Sequence, residues 1–362
     1  MISLNELLRE ACPDHRGPSD LPEVEIRGVE CDSRKVEKDF LFVAIPGVKN
    51  DGNAFIGEAF ERGAAAVVAE RESGNAGKVP LVLVPDARLA VARLAAVYYG
   101  WPSAAMTMVG ITGTNGKTTS SYLIEHFLSS RKKKTGVIGT INYRFDGKEI
   151  AAAETTPGPL RIQSLLAQMR LAGCEVVVME VSSHALDQKR VLGIDFRTAL
   201  FTNLTQDHLD YHGTFENYFE CKSRLFFGLG SSATAVLNVD DEKIRTLIGR
   251  LPSKTLTFGI HEEVDFRAEN ISMEAGSTVF DLAWSGRKIK IHSPLFGLHN
   301  VYNVLGALTV LHGLGYPVEF CAESLRDFSG VPGRMESVSC GQDFTMLVDF
   351  AHSPDGLENV LK

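Results

Sequence analysis

Apolar runs and stretches of helical spacing alternate along the first part of the chain. The spacing predicts a helix over residues 54–62, a strand over 65–69 and a second helix over 85–99. Glycine and proline at 100–102 then end the second helix. We therefore predict a small α/β domain over residues 1–101.

The same alternation continues from residue 102 with longer elements. It is typical of a mainly parallel sheet with helices on both faces, which we assign to residues 102–332. Between 264 and 298, short alternating polar and apolar segments predict an antiparallel insertion. The other predicted elements of this domain are strands at 106–111, 175–179, 198–202 and 235–237 and helices at 120–128 and 300–314.

A glycine-rich loop lies between the strand at 106–111 and the helix that follows it. Gly113 and Gly116 let backbone N–H groups turn toward an anion at the helix N-terminus, where unpaired donors and the helix dipole favour phosphate. Lys117 would reach the β- and γ-phosphates, and the Thr118 hydroxyl would bind Mg²⁺. The loop departs from the common phosphate-loop pattern, because Ile111 stands where that pattern has its first glycine. The alternative is a glycine-rich turn with no ligand.

Composition narrows the class of protein. The 362 residues are 44% hydrophobic and 23% charged with a formal net charge of −8, which gives neither nucleic acid nor an anionic membrane an electrostatic reason to bind. We find no basic leader segment and no apolar run of bilayer length, so we expect a cytoplasmic protein. The six cysteines are scattered without C-x-x-C pairs, which indicates reduced structural thiols.

Two polar clusters follow predicted strands. Glu180 ends the strand at 175–179, and ligands of open α/β sheets lie outside the carboxyl ends of the strands, so Glu180 is a candidate for Mg²⁺. The loop after 198–202 supplies His208, Asp207 and Asp210. For His208 the alternative to a metal or phosphate contact is a surface histidine. For the two aspartates it is a capped turn into the next helix.

Six segments occur in one order along the chain: 113–119, Glu180, 207–213, Lys222, 297–303 and 330–334. In this respect the chain resembles the Mur ligases of peptidoglycan synthesis, and the resemblance covers essentially the whole chain. Residues 32–34 and 41–47 are shared by two branches of that family. Residues 155–157 and 180–186, with Arg190, are similar to the branch that adds the third residue of the stem peptide.

The resemblance implies a role for individual residues. The ATP phosphates and the rest of the nucleotide would be bound by Gly113, Thr114, Asn115, Gly116, Lys117, Thr118, Thr119, Asn300, Asn303, Arg334 and Asp349. Two Mg²⁺ ions would be held by Thr118, Glu180, His208 and Lys222, with Lys222 carbamylated, and the catalytic set would be Lys117, Glu180, His208 and Lys222. The UDP-linked substrate would be bound by Cys31, Ser33, Val48, Lys49, Asn50, Thr155, Thr156, Ser182, Gln188 and Arg190.

Glu154 and the segment 48–50 depart from the family pattern. Glu154 stands where an asparagine is often found, and Val48, Lys49 and Asn50 are not the usual side chains, so we expect backbone contacts to uracil there. Taken alone, Ser33 would be read as part of a turn and Arg190 as a solvated surface charge.

The resemblance also implies the reaction. The γ-phosphoryl group of ATP would activate the D-glutamyl carboxylate of UDP-MurNAc-L-Ala-D-Glu as an acyl phosphate, and a diamino acid, meso-diaminopimelate or L-lysine, would attack it. Positioning and charge neutralisation by Lys117, two Mg²⁺ and Arg190 would supply most of the rate enhancement. No base for the attacking amine is identifiable, and we expect a monomer.

Three alternatives to this reading stay open. Another Mur-type ligase or a folylpolyglutamate synthase shares the phosphate loop, although residues 32–34 argue against the folate enzyme. A nucleotide-binding module without ligase activity is the third. Residues 333–362 predict one strand, 345–350, and the start of one helix from 354, where Mur ligases have a complete third domain. We therefore expect a chain that binds the UDP-linked substrate but does not complete ligation.

Overall fold

The computed structural model describes residues 2–18, 21–47, 51–72, 80–274, 276–338, 340–344, 346–351 and 354–361. The chain divides into two compact units. Unit 1 comprises Met1–Ala105, Pro157–Leu171 and Asp187–Ile194, and unit 2 comprises Met106–Thr156, Ala172–Leu186 and Asp195–Lys362. The division into domains after residues 101 and 332 stays a prediction.

The secondary structure alternates as the hydrophobic pattern predicts. The strands are β1 (Ile2–Ser3), β2 (Glu25–Ile26), β3 (Gly28–Glu30), β4 (Phe40–Val43), β5 (Ala64–Ala69), β6 (Leu81–Leu83), β7 (Thr107–Thr112), β8 (Thr135–Ile138), β9 (Asn142–Phe145), β10 (Lys148–Ala151), β11 (Val176–Glu180), β12 (Phe196–Phe201), β13 (Thr234–Asn238), β14 (Lys254–Gly259), β15 (Phe266–Glu274), β16 (Ser277–Trp284), β17 (Arg287–Ser293), β18 (Glu336–Val338) and β19 (Met346–Val348). The α-helices are α1 (Leu4–Ala11), α2 (Ile56–Glu61), α3 (Ala87–Tyr98), α4 (Lys117–Ser130), α5 (Pro159–Leu171), α6 (Ser183–Asp187), α7 (Leu209–His212), α8 (Phe215–Phe227), α9 (Glu242–Arg245), α10 (Leu298–Gly313), α11 (Val318–Ser324) and α12 (Pro354–Leu361).

Unit 1 is built on a parallel sheet of strand order β3-β4-β5-β6. Helices α1 and α3 bury Leu7, Leu8 and Leu94 with side chains of this sheet, and α2 buries Ile56 in a second cluster that includes Val67. Asp86 caps α3 by accepting the Leu89 N–H at 2.8 Å. Helix α5 packs against α3, so residues 157–171 lie with unit 1 although the pattern along the chain placed them in the central domain.

Unit 2 is built on an 11-stranded sheet of order β10-β9-β8-β11-β7-β12-β13-β14-β15-β16-β17. Its centre, from β8 to β14, is parallel, and β7, β11, β12 and β13 are each followed by a helical crossover. Strands β15, β16 and β17 pair antiparallel, and side chains of β16 alternate between half-buried and buried positions. The predicted α/β fold and its antiparallel insertion are therefore confirmed.

The register of the central strands determines what meets at the carboxyl edge of this sheet. Glu180 of β11 pairs with Ile111 of β7, and Phe201 of β12 pairs with Thr112. The residues after these three strands therefore lie next to one another. Helix α4 begins at Lys117, three residues before the predicted start, because the last residues of the glycine-rich segment form its first turn.

The last described segments form a small antiparallel pair, β18 with β19, followed by α12. The predicted strand at 345–350 is present as Met346–Val348, with residue 345 outside the described residues. Within the part of the chain that the structure describes, none of the helices has the length and apolar character needed to cross a membrane.

Candidate functional site

Two glycines of the loop between β7 and α4 have conformations and surroundings that exclude a side chain. Gly113 has φ +147° and Gly116 has φ +83°. A Cβ atom on Gly113 would lie 1.9 Å from Thr202 Oγ1, and one on Gly116 would lie 2.3 Å from Asn303 Oδ1. No side chain caps the N-terminus of α4, so its first N–H groups are available to an anion.

The segment after β12 fixes this loop in place. Thr202 Oγ1 donates to the Asn115 carbonyl at 2.6 Å, and the Asn115 N–H donates to Asn203 Oδ1 at 2.9 Å. The Thr114 hydroxyl accepts the Thr205 N–H at 2.9 Å. Thr202 and Asn203 are not among the predicted site residues, although they stand at the carboxyl end of the predicted strand 198–202, where ligand-binding residues of α/β sheets lie.

Lys117 turns back over the loop. Its Nζ donates to the carbonyls of Gly113 and Thr114, each at 2.8 Å. Burial lowers the pKa of Lys117 below its usual range, and the negative charge of Glu180 opposes that change. Its amine is thereby held beside the glycines that would cradle phosphate.

Glu180 is buried and accepts hydrogen bonds at both carboxylate oxygens. Thr118 Oγ1 donates to Oε2 at 3.0 Å, Thr140 Oγ1 donates to Oε2 at 2.8 Å, and the Thr140 N–H donates to Oε1 at 3.2 Å. A Cβ on Gly139 would lie 2.3 Å from Oε1, so the backbone can approach the carboxylate only at a glycine. Gly139 and Thr140 are not among the predicted site residues, because their neighbours along the chain form no recognisable motif.

Lys222 of helix α8 reaches the same loop from another direction. It is 2% exposed, its Nζ donates to the Gly113 carbonyl at 2.9 Å, and it lies 4.6 Å from the centre of the Tyr218 ring. Burial, and secondarily the positive charge of Lys117, hold the pKa of Lys222 well below its ordinary value. Two amines therefore share one carbonyl oxygen.

His208 lies at the N-terminus of α7 with φ +51°, which is uncommon for a residue with a side chain. Its Nε2 is 3.5 Å from Asp207 Oδ2, and its ring meets the His184 ring edge to face at 4.9 Å between centroids. Its side chain is 44% exposed, so its ring can still reach a ligand.

The donor set fits Mg²⁺ only in combination with phosphate and water. Among the described residues, no three His, Cys, Asp or Glu side chains form a group that could hold a metal. Mg²⁺ in nucleotide sites is usually bound by one or two carboxylates, substrate phosphates and waters. Glu180, the Thr118 hydroxyl and the nearby anion cradle match that pattern.

A cavity of about 540 Å³ joins most of the predicted nucleotide site within unit 2. Its volume is in the range of small-molecule sites. Asn300 and Asn303 are buried at its wall, with Asn303 Nδ2 donating to Asn300 Oδ1 at 3.0 Å. The predicted site residues that line the cavity are Thr114, Asn115, Gly116, Lys117, Thr118, Thr119, Thr155, His208, Asn300, Asn303, Arg334 and Asp349. Lining residues that were not predicted include Thr140, Asn238, His299 and Tyr302.

Three predicted substrate residues of unit 2 lie around Glu180. Thr156 Oγ1 donates to the Glu180 carbonyl at 2.8 Å and accepts the Ser182 N–H at 2.9 Å. Thr155 Oγ1 is 3.1 Å from Thr140 Oγ1. The predicted substrate threonines are therefore hydrogen-bonded to the surroundings of the predicted metal carboxylate.

The remaining predicted substrate residues belong to unit 1. Ser33 Oγ donates to Glu58 Oε2 at 2.7 Å, and Arg190 donates to Gln188 Oε1 through Nε at 3.1 Å and Nη2 at 2.9 Å. Burial raises the pKa of the Cys31 thiol to about 12, so it is a neutral side chain at physiological pH. Val48, Lys49 and Asn50 lie outside the described residues.

Two protein-family models match the chain. The Mur ligase middle domain matches residues 111–311, and the catalytic domain of the Mur ligase family matches residues 25–99. The first match contains the phosphate loop, Glu180, His208 and Lys222, and the second contains Cys31 and Ser33.

Individual relatives match over nearly the whole chain. The UDP-N-acetylmuramoyl-L-alanyl-D-glutamate--2,6-diaminopimelate ligase of Geobacillus kaustophilus is 45% identical over 344 residues, which cover 93% of this chain and 70% of that protein. The ligase of the same name from Listeria monocytogenes serotype 4b is 41% identical over an alignment of 367 residues, which covers 100% of this chain and 74% of that ligase. A solved structure of a ligase of this name superposes with a TM-score of 0.84 at 30% identity, covering 98% of this chain and 73% of that one.

Proposed function

Because the chain belongs to the Mur ligase family, we propose that it is an ATP-dependent amide ligase that adds the third amino acid to UDP-MurNAc-L-Ala-D-Glu. One observation carries the proposal beyond family membership. Gly116, Lys117 and the two threonines that donate to Glu180, Thr118 and Thr140, line one cavity. That arrangement suits transfer of a phosphoryl group between a nucleotide and a carboxylate.

The first step would form a bond between the D-glutamyl carboxylate oxygen and the γ-phosphorus while the bond to the β–γ bridging oxygen breaks and ADP leaves. The N–H groups of α4 and the amine of Lys117 would bind the phosphate oxygens and offset their charge. Lys117 would exchange its bonds to the Gly113 and Thr114 carbonyls for phosphate oxygens. In the second step the amine would attack the acyl carbon, inorganic phosphate would leave, and the amine would lose a proton.

Divalent cations would be held by Thr118, Glu180, His208 and Lys222 as its carbamate. Bound Mg²⁺ supplies charge neutralisation on the phosphoryl oxygens. The Thr118 and Thr140 hydroxyls fix the Glu180 carboxylate in place by donating to its Oε2 atom. Carbamylation would turn the amine of Lys222, whose charged form is disfavoured by burial and by Lys117, into an anionic oxygen ligand.

Each unit contains residues that we propose for binding the UDP-linked acceptor. In unit 2, Thr155, Thr156 and Ser182 offer hydroxyl groups beside Glu180. In unit 1, Cys31, Ser33, Gln188 and Arg190, with residues 48–50, would bind the rest, and the fork of Arg190 suits the D-glutamyl carboxylate.

The amino acid that we propose is 2,6-diaminopimelate. The relatives at 41–45% identity carry that amino acid in their names. L-Lysine stays the alternative, because the described residues contain no side chain that we can assign to selecting it.

Calorimetry and a product assay test the proposal on the 362-residue chain. UDP-MurNAc-L-Ala-D-Glu and MgATP should each bind, and a Lys117→Ala variant should keep the first affinity and lose the second. ADP release should then be measured with diaminopimelate, L-lysine and no amino acid, with tripeptide detected by mass spectrometry. Absence of binding to the UDP-linked dipeptide would contradict the acceptor assignment. Nucleotide binding without any binding of acceptor would favour a nucleotide-binding module.

A further inference from the structure

Thr140 is the side chain that touches both the buried carboxylate and a predicted acceptor threonine. Its hydroxyl is 2.8 Å from Glu180 Oε2 and 3.1 Å from Thr155 Oγ1, and its backbone N–H donates to Glu180 Oε1 at 3.2 Å. We propose that Thr140 is a positioning residue that fixes Glu180 for a divalent cation and Thr155 for the acceptor at the same time. This inference rests on the proposed function.

The directions of these hydrogen bonds follow from the number of protons available. An ionised carboxylate only accepts, so the single hydroxyl proton of Thr140 is used on Glu180. Thr155 must then be the donor in the contact between the two hydroxyls. The Thr155 hydroxyl proton points to Thr140, which leaves the lone pairs of Thr155 for an acceptor N–H or O–H group.

Glu180 is held on two sides by this one residue. Thr118 also donates to Oε2, but in the proposed function Thr118 becomes a cation ligand, which leaves Thr140 as the side chain that keeps the carboxylate in place. The close approach at Gly139 fixes the backbone of Thr140 against Oε1. Hydrogen bonds of a hydroxyl to a charged group are stronger than those between neutral groups, so this contact outweighs the one to Thr155.

Thr140→Val removes the hydroxyl while it keeps the backbone N–H and nearly the same shape. Thr140→Ser keeps the hydroxyl and serves as the rescue variant. Thr135→Val, in the strand that leads to Thr140, removes a hydroxyl that donates to the Lys133 carbonyl at 3.2 Å and serves as the matched control. Circular dichroism and thermal unfolding establish that each variant is folded.

Calorimetry on the 362-residue chain measures ADP affinity as a function of Mg²⁺, and then the affinity for UDP-MurNAc-L-Ala-D-Glu. We expect Thr140→Val to raise the Mg²⁺ concentration at half-maximal ADP binding about tenfold, with ADP affinity in the absence of Mg²⁺ unchanged. The acceptor affinity should fall about threefold to tenfold, and this loss should vanish in a Thr155→Val background, because Thr140 acts on the acceptor through Thr155. Thr140→Ser and Thr135→Val should both match the unaltered chain.

A change in only one of the two affinities, or in neither, would overturn the inference. So would an equal loss in the Thr155→Val background, or a serine variant as weak as the valine variant. If the unaltered chain bound neither ligand, the proposed function would fall and this inference with it. If it bound both and Thr140→Val did too with unchanged affinities, only this inference would fall.

Discussion

Lys222 Nζ lies 2.9 Å from the Gly113 carbonyl oxygen, although Lys222 is on helix α8 and Gly113 follows strand β7. The Lys117 amine donates to the same oxygen at 2.8 Å. Two buried amines at one carbonyl offer no anionic ligand to Mg²⁺, and any positive charge that they carry would repel it. Chemical conversion of one of them is the simplest way to make the site accept a metal.

We predict that Lys222 is carbamylated. Incorporation of ¹³C-labelled bicarbonate should give a carbamate signal by nuclear magnetic resonance that is absent from Lys222→Ala. That variant should bind Mg²⁺ with ADP about 10- to 100-fold more weakly, because it lacks an oxygen ligand. Lys243→Ala, at a lysine that is 44% exposed and pairs with Glu216, is the control and should keep both properties. A Lys222→Ala variant with unchanged Mg²⁺ affinity would contradict the prediction.

Lys117→Ala should abolish ATP turnover without unfolding the chain. The amine donates to the Gly113 and Thr114 carbonyls, which other donors can reach, so we expect its removal to cost little stability. Loss of a cation at the transferring phosphate costs about 10²-fold or more in rate. ADP release and circular dichroism measure the two effects. Lys148→Ala, at an exposed lysine of β10, should leave both unchanged. Near-normal turnover by Lys117→Ala would show that the loop binds a ligand other than a nucleotide.

Three glycine variants separate backbone strain from steric exclusion at the phosphate loop. Gly113→Ala introduces both, and we expect it to cost about 2–5 kcal/mol of unfolding free energy and to abolish nucleotide binding. Gly147 has φ +72°, but a Cβ there would meet open space, so Gly147→Ala should cost about 1–2 kcal/mol of unfolding free energy. Gly158 has neither a positive φ nor a close neighbour, so Gly158→Ala should change the unfolding free energy by less than about 0.5 kcal/mol. Urea unfolding of the three variants measures the series, and equal losses at Gly113 and Gly147 would rule out the clash with Thr202.

The parts of the site that the sequence predicts are those encoded in contiguous segments. A glycine-rich turn before a helix predicts anion binding from its own residues. An acid at the end of an apolar strand, such as Glu180, is expected at the carboxyl edge of a sheet. The alternation at 264–298 likewise predicts an antiparallel meander, which the structure contains.

The parts that could not be predicted depend on strand order. Thr140 follows β8 and meets Glu180 only because β8 pairs with β11, a choice that no local pattern encodes. The contact between Lys222 and Gly113 joins residues 109 positions apart in the same way. Helix α5 packs against α3, which lies about 60 residues earlier in the chain, so its assignment to unit 1 also depends on tertiary contacts.

The last prediction concerns the carboxylate of Asp240, which follows strand β13. Its carboxylate accepts the N–H groups of Ile260 at 2.6 Å and Glu262 at 3.1 Å, and the Tyr302 hydroxyl at 2.8 Å. Burial, the largest single influence, raises the pKa of Asp240, but these hydrogen bonds together outweigh it and the net pKa is lowered. The charged form is therefore stabilised by folding.

A carboxyl group whose pKa is lower in the folded than in the unfolded chain contributes stability that is complete above the unfolded value of about 3.9 and is lost as the pH falls through the folded value. Asp240→Asn cannot titrate and faces backbone N–H groups with an amide, so it should cost about 1–2 kcal/mol near neutral pH. We expect the difference between the two chains, measured by urea unfolding, to be constant above about pH 5 and to shrink below about pH 4. Asp146→Asn, at an exposed carboxylate of the β9–β10 turn, should change stability by less than about 0.5 kcal/mol. A difference that grew on acidification would mean that folding favours the protonated form of Asp240, and would reverse the sign assigned to its hydrogen bonds.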